Sequence, residues 1–487
     1  MNPSLYQINT RTLLSTLGSS AKLDDIPNAF LDSLAVKGFD WVWLLGVWKM
    51  GPTGQQISRS RTEWHNEYTA ALPDLREEDI CGSPFAIAEY TVDPALGGDA
   101  QLAHFRERLE QRGIKLLLDF VPNHIGFDHR FASERPDFLI TGTEADLARA
   151  PDCWTKLPNG TIAAFGRDPN YPGWPDTLQL NYFNPQLRAA MIGELRNVAT
   201  RCSGVRCDMA MLLEPEVFHR TWDGRPESRS PLTESFWPEA IAAVRRDNPE
   251  FLFLAEVYWG YEAKLQSHGF DYTYDKVLYD RLMHHEGAHV LEHLTAPSSY
   301  RARMAHFLEN HDEQRVASRL PVDEHRAAAA ISFLAPGLRF LHHGEFEGKK
   351  IKVPVHLKRG PEEETDPSIT AIYDTLIPIV NSPVGKNGDW HLLRCAPAWE
   401  GNPTNHNFIA YYIAHEQEDL LVTVNYANYR GQCFVQLPQG LPNTGTVRLI
   451  DKLSSATYDR PAQDLSSRGL FLDVEGFTTH IFSVQRA

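Results

Sequence analysis

Eight short, almost uninterrupted apolar runs recur along the first 343 residues, and helix-forming segments fall between most of them. Continuous apolar runs are typical of parallel strands buried on both faces, because a strand with one face in water alternates instead. Eight strand–helix units in this order predict a closed (β/α)8 TIM barrel, with a doubly wound open sheet as the competing architecture. The runs occupy residues 4–10, 39–45, 114–121, 204–209, 251–257, 270–274, 304–310 and 338–343.

Two connections in this pattern are much longer than the usual loop of about 2–6 residues. Residues 48–98 separate the second strand from the helix before the third, and residues 125–183 separate the third strand from the next helix. The second connection is rich in Pro, Gly, Asp and Trp, and we interpret it as a small inserted subdomain over the top of the barrel. An insertion without a binding role is the alternative.

From about residue 388 the pattern changes, because apolar and polar residues begin to alternate. Short alternating segments recur to the end of the chain: NFIAYYIAH, LLVTVNY, CFVQL, TVRLI and HIFSV. They predict a C-terminal antiparallel β-sandwich. We therefore divide the chain into a first barrel part (1–124), an inserted subdomain (125–183), a second barrel part (184–387) and the sandwich (388–487).

The charge and cysteine content restrict the partners and the compartment. A formal net charge of -16 disfavours nucleic acid and anionic membranes, and it favours a neutral ligand. The chain has no apolar run near the ~18 residues that span a membrane, and it has no basic N-terminal leader. Six cysteines without a CxxC pair indicate a reducing compartment, so we predict a cytoplasmic location and make no prediction of oligomeric state.

The end of the fourth run carries a charged pair. In GVRCDM (204–209), Arg206 and Asp208 are two residues apart, so on a strand both side chains point to the same side. In a barrel, the carboxyl ends of the strands line one shared pocket. A carboxylate beside a guanidinium stays ionised, as a nucleophile requires, although a structural ion pair is the alternative reading.

The fifth run ends in a second candidate, Glu256. Burial against Val257, Tyr258 and Trp259 is expected to raise its pKa toward that of a general acid, while capping of the next helix is the alternative. Because Asp208 and Glu256 lie on consecutive strands, they can flank one bond. Carboxylates about 5–5.5 Å apart act by double displacement with retention, and those about 6.5–9.5 Å apart act by inversion. The sequence does not fix this gap.

Hydrogen-bonding side chains follow the third and seventh runs. DFVPNH (119–124) contains Asp119 and His124, and LENHDEQR (308–315) contains His311 and Asp312. Neutral imidazoles and carboxylates are suitable partners for the hydroxyl groups of a sugar. Caps and satisfied core groups are the alternative roles for such residues.

Four of these segments, in this order, carry a resemblance to a known family. DFVPNH, GVRCDM, FLAEV (253–257) and FLENHD (307–312) resemble the four signatures of glycoside hydrolase family 13, the α-amylase family. TLQLN (177–181) resembles the extra motif of the middle subdomain, and HHGEFEG resembles the segment that ends the eighth strand. The inserted subdomain and the C-terminal sandwich stand where the family has them.

The resemblance implies three catalytic residues. Asp208 is similar to the nucleophile that forms a β-linked glycosyl-enzyme. Glu256 is similar to the general acid/base, which protonates the leaving oxygen and then activates water or an acceptor sugar. Asp312 is similar to the carboxylate that holds hydroxyls of the sugar at the cleaved bond and favours its distorted form.

A second set of residues is assigned to the substrate-binding region. Its members are Arg206, His124, His311, Asp119, Phe85 and Trp259. By resemblance, Arg206 bonds the nucleophile with Asp119 supporting it, and the two histidines bind hydroxyls of the same sugar. Phe85 is the aromatic residue nearest to the position where the family usually has a stacking Tyr. Trp259, just past the acid, is placed to stack on an acceptor sugar.

The chain also departs from the family pattern. Residues 209–212 (MAML) stand where many endo-acting α-amylases carry a Lys-His pair that contacts sugars and helps the calcium site. Ordinary starch endo-hydrolysis is therefore in doubt. No cofactor is required; a structural calcium is left open, because Asn123 matches one ligand. The His-His pairs at 284–285 and 342–343 lack companion ligands at zinc spacing, which disfavours a catalytic metal.

Three functions follow from these features. The first is a retaining glycoside hydrolase that cleaves α-glucosidic bonds in oligosaccharides or small glucosides through a covalent glycosyl-enzyme. The second is a transglycosylase with the same carboxylates, which differs in whether water or a sugar reaches the intermediate. The third is an inactive sugar-binding protein on the same fold. Loss of a carboxylate would indicate the third, and all three carboxylates are present.

Overall fold

Eight parallel strands close into a barrel, which confirms the (β/α)8 prediction and makes the open sheet wrong. The computed structural model describes residues 1–225, 232–438 and 444–486. Each strand lies within one of the apolar runs. The strands are β1 (Ser4–Asn9), β2 (Trp41–Leu45), β3 (Lys115–Phe120), β4 (Gly204–Cys207), β5 (Leu252–Ala255), β6 (Tyr272–Tyr274), β7 (Met304–His306) and β8 (Leu338–His342).

Strand order places the candidate residues next to one another. Strand β4 lies between β3 and β5, and Arg206 is in register with Asp119 on one side and Leu254 on the other. Every residue of β2, β4 and β5 is buried, as expected for strands covered on both faces. The carboxyl ends of β3, β4 and β5 therefore meet at one edge of the barrel.

Helices surround the barrel and return the chain to its amino-terminal edge. The principal ones are α1 (Asn28–Val36), α2 (Gly98–Glu110), α3 (Pro185–Ala199), α4 (Trp237–Arg245), α5 (Glu262–Ser267), α6 (Lys276–Met283), α7 (Val322–Phe333) and α8 (Pro367–Val380). Further helices lie at Thr10–Leu17, Pro215–Trp222, Gly287–Leu294, Ser298–Arg301, Val316–Arg319 and Pro383–Asn387. Helix α3 begins where its sequence predicts, because the Asn184 side chain accepts from the Gln186 N–H (2.9 Å) and Pro185 fills the first turn.

The two long connections form small structures of their own. Within residues 48–98, Trp48–Met50 pairs with Ile87–Val92, and helices Pro52–Ser60 and Thr62–Ala71 lie between them. Within the second connection, His124–Gly126 pairs with Thr177–Gln179, and Trp154–Lys156 pairs with Ile162–Ala164. The short helices Arg130–Glu134 and Glu144–Arg149 complete this part. Since the first pairing starts at the end of β3, the inserted subdomain lies at the same edge as the candidate residues.

The C-terminal part is a sandwich of a six-stranded and a three-stranded antiparallel sheet. The six-stranded sheet contains Asp389–Leu392, Phe408–Ala414, Asp419–Asn425, Thr446–Asp451, Thr457–Pro461 and Thr479–Arg486. The other contains Cys395–Pro397, Gly431–Val435 and Leu470–Val474, and helix Ala462–Ser467 joins the last of these strands to Thr457–Pro461 of the six-stranded sheet. Leu421 and Phe482 of one sheet share a buried core with Cys433 and Leu472 of the other.

Two tyrosines join the sandwich to the barrel helices. The Tyr411 hydroxyl donates to the Ala330 carbonyl at 2.7 Å, and the Tyr426 hydroxyl donates to the Leu282 carbonyl at 2.8 Å. Both tyrosines are buried. Within the described ranges, no helix has the length and apolar content to cross a membrane.

Candidate active site

One guanidinium group joins the two candidate carboxylates. Arg206 Nη1 lies 2.6 Å from Asp208 Oδ1, and Arg206 Nη2 lies 2.8 Å from Glu256 Oε2. All three side chains are buried, so the attraction is little screened by solvent. Burial opposes the charge on Arg206, but Glu256, Tyr274 and Asp208 raise its pKa well above its ordinary value. The carboxyl groups of two neighbouring strands thus converge, as the sequence predicts.

A tight turn at the end of β4 fixes the orientation of Glu256. Met209 adopts a left-handed backbone conformation (φ 43°), which costs about 1–2 kcal/mol in a residue other than Gly. This turn directs the Met209 N–H at Glu256 Oε2 (2.7 Å). The next N–H, of Ala210, donates to the Glu256 carbonyl at 2.9 Å, and the Glu256 N–H donates to the Cys207 carbonyl at 3.0 Å. Side chain and backbone of Glu256 are both held by the turn after β4.

The environment of Glu256 favours its protonated form. Burial raises its pKa to about 7, with the negative charges of Asp208 and Asp312 adding to burial and Arg206 opposing it. The rise in pKa agrees with the sequence prediction. Of the three residues expected to cover Glu256, Trp259 is 42% exposed, and the Arg220 guanidinium lies over its ring, 5.6 Å from the centroid.

Asp119 supports the site indirectly, through Trp43 and the backbone. Its carboxylate accepts from Trp43 Nε1 (3.2 Å) and from the Gly46 N–H (2.8 Å). Burial raises the pKa of Asp119 to about 6, although Arg206 and the Gly46 bond lower it. The Trp43 ring in turn lies 5.4 Å from the Arg206 guanidinium. Asp119 therefore fixes the indole on which Arg206 packs.

His311 and Asp312 follow β7 and enter the site from the opposite side. Gln7 Nε2 donates to His311 Nδ1 (2.9 Å), so the ring proton lies on Nε2, which is 3.1 Å from Asp312 Oδ2. Burial lowers the pKa of His311 to about 4, which keeps the imidazole neutral. The Asp312 side chain is 45% exposed, and its N–H bonds Asn310 Oδ1 (2.8 Å). Asp312 is thus held by its turn and faces open space.

Aromatic rings complete the walls. Phe85 lies 5.2 Å from the Arg206 guanidinium and 5.4 Å from the His311 ring. His124 is buried beside Trp174, with the rings 5.0 Å apart, and burial lowers its pKa. Both residues belong to the region that the sequence assigns to substrate binding.

A cavity of about 820 Å³ opens beside His311, which is within the size range of small-molecule sites. It is lined by the ends of β1, β7 and β8 and by residues 344–364, including Asn310, His342 and Glu347. The buried atoms Asn310 Nδ2, His342 Nδ1 and Glu347 Oε2 have no hydrogen-bond partner. Such groups are ready to bind a polar ligand.

Several residues of the site are not predicted from the sequence. Tyr258 donates to Glu256 Oε1 (2.8 Å), and Tyr274 accepts from Arg206 Nε (3.4 Å). Gln7 and Trp43 lie inside apolar runs, where the sequence predicts core residues. The sequence does contain a signal for Gln7. Its carboxamide is a strongly polar group inside the apolar run 4–10, and it comes before the run reaches Asn9. For Tyr258, two residues past Glu256, the sequence predicts only that the side chain helps to bury Glu256, and it does not predict the hydrogen bond.

The residues near Asn123 do not fit the structural calcium that the resemblance left open. Gln179 Nε2 lies 3.0 Å from both the Asn123 carbonyl and Asn123 Oδ1, and 3.1 Å from the Leu180 carbonyl. Calcium needs such oxygens as ligands, but here they already accept from an N–H donor. Among the described residues, no group of three or more His, Cys, Asp or Glu is placed to hold a metal ion.

We expect chelators and added calcium to leave the thermal unfolding midpoint of the protein unchanged, because the Gln179 amide already bonds the oxygens. Scanning calorimetry with EDTA or with calcium chloride measures this. Gln179→Ala is the matched variant: it removes the donor to Asn123 Oδ1 and to the Leu180 carbonyl, which costs about 1–3 kcal/mol, whereas the Asn123 carbonyl still accepts from the Leu180 N–H (3.1 Å). A midpoint of the unmodified protein that rises with calcium would contradict this account.

The barrel and the carboxylate pair at its edge define a glycosidase or glycosyl-transferring enzyme. Residues 82–366 match the family model of the alpha amylase catalytic domain. The chain therefore belongs to the α-amylase family.

Three similar proteins illustrate how far the likeness extends. Alpha-amylase 3 of Dictyoglomus thermophilum is 24% identical over 324 residues, which cover 60% of this chain and 59% of that protein. The alpha-1,4-glucan:maltose-1-phosphate maltosyltransferase of Arcanobacterium haemolyticum is 25% identical over 284 residues, 58% of this chain and 35% of that protein. The match thus spans about half the length of these curated relatives or less.

Among solved structures, the maltogenic alpha-amylase AmyB from Thermotoga neapolitana has a TM-score of 0.70 at 19% identity. The match covers 99% of this chain and 98% of that one. At this identity the likeness concerns the fold.

Proposed function

We propose that this protein is a retaining α-glycosidase that cleaves α-glucosidic bonds in oligosaccharides or small glucosides. Asp208 is the nucleophile and Glu256 the general acid/base. The observation that carries the proposal is the shared guanidinium: Arg206 bonds one oxygen of Asp208 and one of Glu256. Burial favours the protonated form of Glu256 within this pair, and acid-assisted nucleophilic displacement requires a protonated acid.

The chemistry proceeds in two displacements. In the first, a carboxylate oxygen of Asp208 attacks the anomeric carbon, the bond from that carbon to the glycosidic oxygen breaks, and Glu256 transfers its proton to that oxygen. In the second, Glu256 removes a proton from water or from an acceptor hydroxyl, whose oxygen displaces Asp208. Two inversions at one carbon retain the anomeric configuration.

The shared guanidinium suits double displacement, which uses a close pair of carboxylates. Both Asp208 and Glu256 lie within bonding distance of Arg206. In the proposed mechanism Asp312, His311 and His124 bind hydroxyls of the sugar at the cleaved bond, and the neutral rings of both histidines suit this role.

We expect the rate to fall as the pH rises through about 7, because the first step needs Glu256 in its protonated form. The raised pKa of Glu256 means that the acid is present below about pH 7 and is lost above it. The pH dependence of kcat/KM for a maltooligosaccharide measures this limb. A rate that stays constant from pH 6 to pH 9 would exclude Glu256 as the acid.

A panel of α-glucosides and maltooligosaccharides tests the proposed reaction, with the anomer of the first product read by NMR. The expected first product is the α-anomer, with release of glucose or short oligosaccharides. A β-anomer as first product would overturn retention, and no turnover of any panel member would overturn the activity. The cavity shares His311 with the proposed sugar-binding residues, and its volume of about 820 Å³ has room for sugar units beyond the one at the cleaved bond.

Transglycosylation is the second candidate, and the position of Trp259 favours it. Trp259 is exposed, has a left-handed backbone (φ 63°) and lies three residues past Glu256, where an acceptor sugar could stack. One relative is named a maltosyltransferase. The same panel with an added acceptor such as maltose separates the two functions, because transfer yields products longer than the substrate. An inactive sugar-binding protein is less well supported, because Asp208, Glu256 and Asp312 are all in place.

A cytoplasmic location is also part of the proposal. All six cysteines fall in described residues and are free thiols, which suits a reducing compartment. Fractionation of the native host that recovers the protein outside the cytoplasm would contradict it.

A further inference from the structure

Tyr258 contacts the proposed acid directly. Its hydroxyl donates to Glu256 Oε1 at 2.8 Å. The residue is two positions past Glu256, after the end of β5, and its side chain is partly exposed. It therefore stands between Glu256 and the open side of the site.

The two oxygens of Glu256 are not equivalent. Oε2 already faces two N–H donors, the Met209 backbone at 2.7 Å and Arg206 Nη2 at 2.8 Å. A proton on Oε2 would point at these donors and repel them. The proton of the neutral acid must therefore lie on Oε1, the oxygen that faces the Tyr258 hydroxyl.

We propose that Tyr258 is a positioning residue that holds Glu256 Oε1 as the proton-transferring oxygen and stabilises the carboxylate between the two displacements. The inference rests on the proposed function. In the first step, Oε1–H gives its proton to the glycosidic oxygen, and the resulting carboxylate accepts from the Tyr258 O–H. In the second step, Oε1 takes the proton of water or of an acceptor hydroxyl, and Tyr258 keeps its own proton throughout.

The surroundings agree with this role. Burial, followed by the charges of Glu256 and Asp312, raises the pKa of Tyr258 well above its ordinary value, so the phenol remains a donor at working pH. The other charged or titratable groups that face Glu256 are Arg206, Asp208 and Asp312, with Tyr274 beyond Arg206. None of these bonds Oε1.

Tyr258→Phe tests the inference, because it removes only the hydroxyl. Loss of a donor to the carboxylate raises the pKa of Glu256, so the basic limb of kcat/KM should move up by about one pH unit. Turnover of a maltooligosaccharide should fall about tenfold or more, whereas α-glucosyl fluoride, whose leaving group needs little protonation, should form the glycosyl-enzyme at a nearly unchanged rate. A lost packing contact would not move the pH limb.

Tyr261→Phe is the matched control, because the Tyr261 hydroxyl faces Glu216 instead of Glu256. It should keep the pH profile of the unmodified protein. If Tyr258→Phe also keeps that profile and the ratio of oligosaccharide to fluoride turnover, the inference is overturned while the proposed function stands. If the unmodified protein turns over neither substrate, the proposed function fails and this inference fails with it.

Discussion

Asp208→Asn is expected to lower kcat by about 10⁴-fold or more while leaving the fold intact. An amide cannot form the glycosyl ester, and nothing else in contact with Arg206 Nη1 replaces the lost carboxylate. Asn has nearly the same shape as Asp, so the packing at the end of β4 is kept. Arg206 keeps Glu256 as a partner 2.8 Å away, and loss of the Asp208 charge lowers the pKa of Glu256, so that Arg206 is not left as an unpaired buried charge.

Steady-state turnover of a maltooligosaccharide and the thermal unfolding midpoint measure the two halves of this expectation. The matched control is Asp137→Asn, the same chemical change at an exposed ion pair with Arg135. The control should keep full turnover, since exposed pairs contribute little. If Asp208→Asn keeps more than a tenth of the native turnover at an unchanged midpoint, Asp208 is not the nucleophile.

The barrel could be predicted from the sequence because its signal is repetitive. Eight buried parallel strands leave eight continuous apolar runs, and their number and order favour the barrel over a doubly wound open sheet. The bounds were less accurate at the carboxyl ends. The run 304–310 contains a strand of only Met304–His306, and the run 251–257 contains Leu252–Ala255. Residues past these ends leave the sheet ladder to form the site, although they remain apolar or buried.

In the sandwich, the sequence predicts the central strands but not the two edge strands. The strands at Phe408–Ala414 and Asp419–Asn425 are central and largely buried, and their sequences predict them. The strands Asp389–Leu392 and Thr457–Pro461 have no fully buried residue, and each is too short and too poor in apolar residues to predict a strand. Both lie at edges of the six-stranded sheet, so backbone pairing with one neighbour determines them.

The site was predictable where chemistry depends on residue type, and unpredictable where it depends on backbone conformation. Arg206, Asp208 and Glu256 could be paired because strand periodicity and strand order place them together. The left-handed turn at Met209 could not, since nothing in a methionine favours φ 43°. That turn supplies an N–H to Glu256, and it comes directly after the residues that pair β4 with β5.

The guanidinium that unites the site is also expected to stabilise the fold. Arg206→Met removes the cation but keeps much of the side-chain volume against Trp43. Asp208 and Glu256 then remain buried without a cation between them. Breaking a buried ion pair in this way lowers the free energy of unfolding by about 3–5 kcal/mol. Denaturant unfolding at pH 8 measures this loss. Arg448→Met, which removes an exposed pair with Asp459, is the control and should leave the free energy of unfolding unchanged.

The pH dependence of this loss separates electrostatics from packing. Arg206 lowers the pKa of Glu256, so the variant raises that pKa further above its value in the unfolded chain. A group with a raised folded pKa favours the folded state at low pH and loses that contribution as pH rises through the folded pKa. The destabilisation by Arg206→Met should therefore be largest at pH 8 and should shrink toward pH 5, as Glu256 takes up its proton. An equal loss at both pH values would mean that Arg206 acts through its contact with Trp43, and that its charge is unimportant for stability.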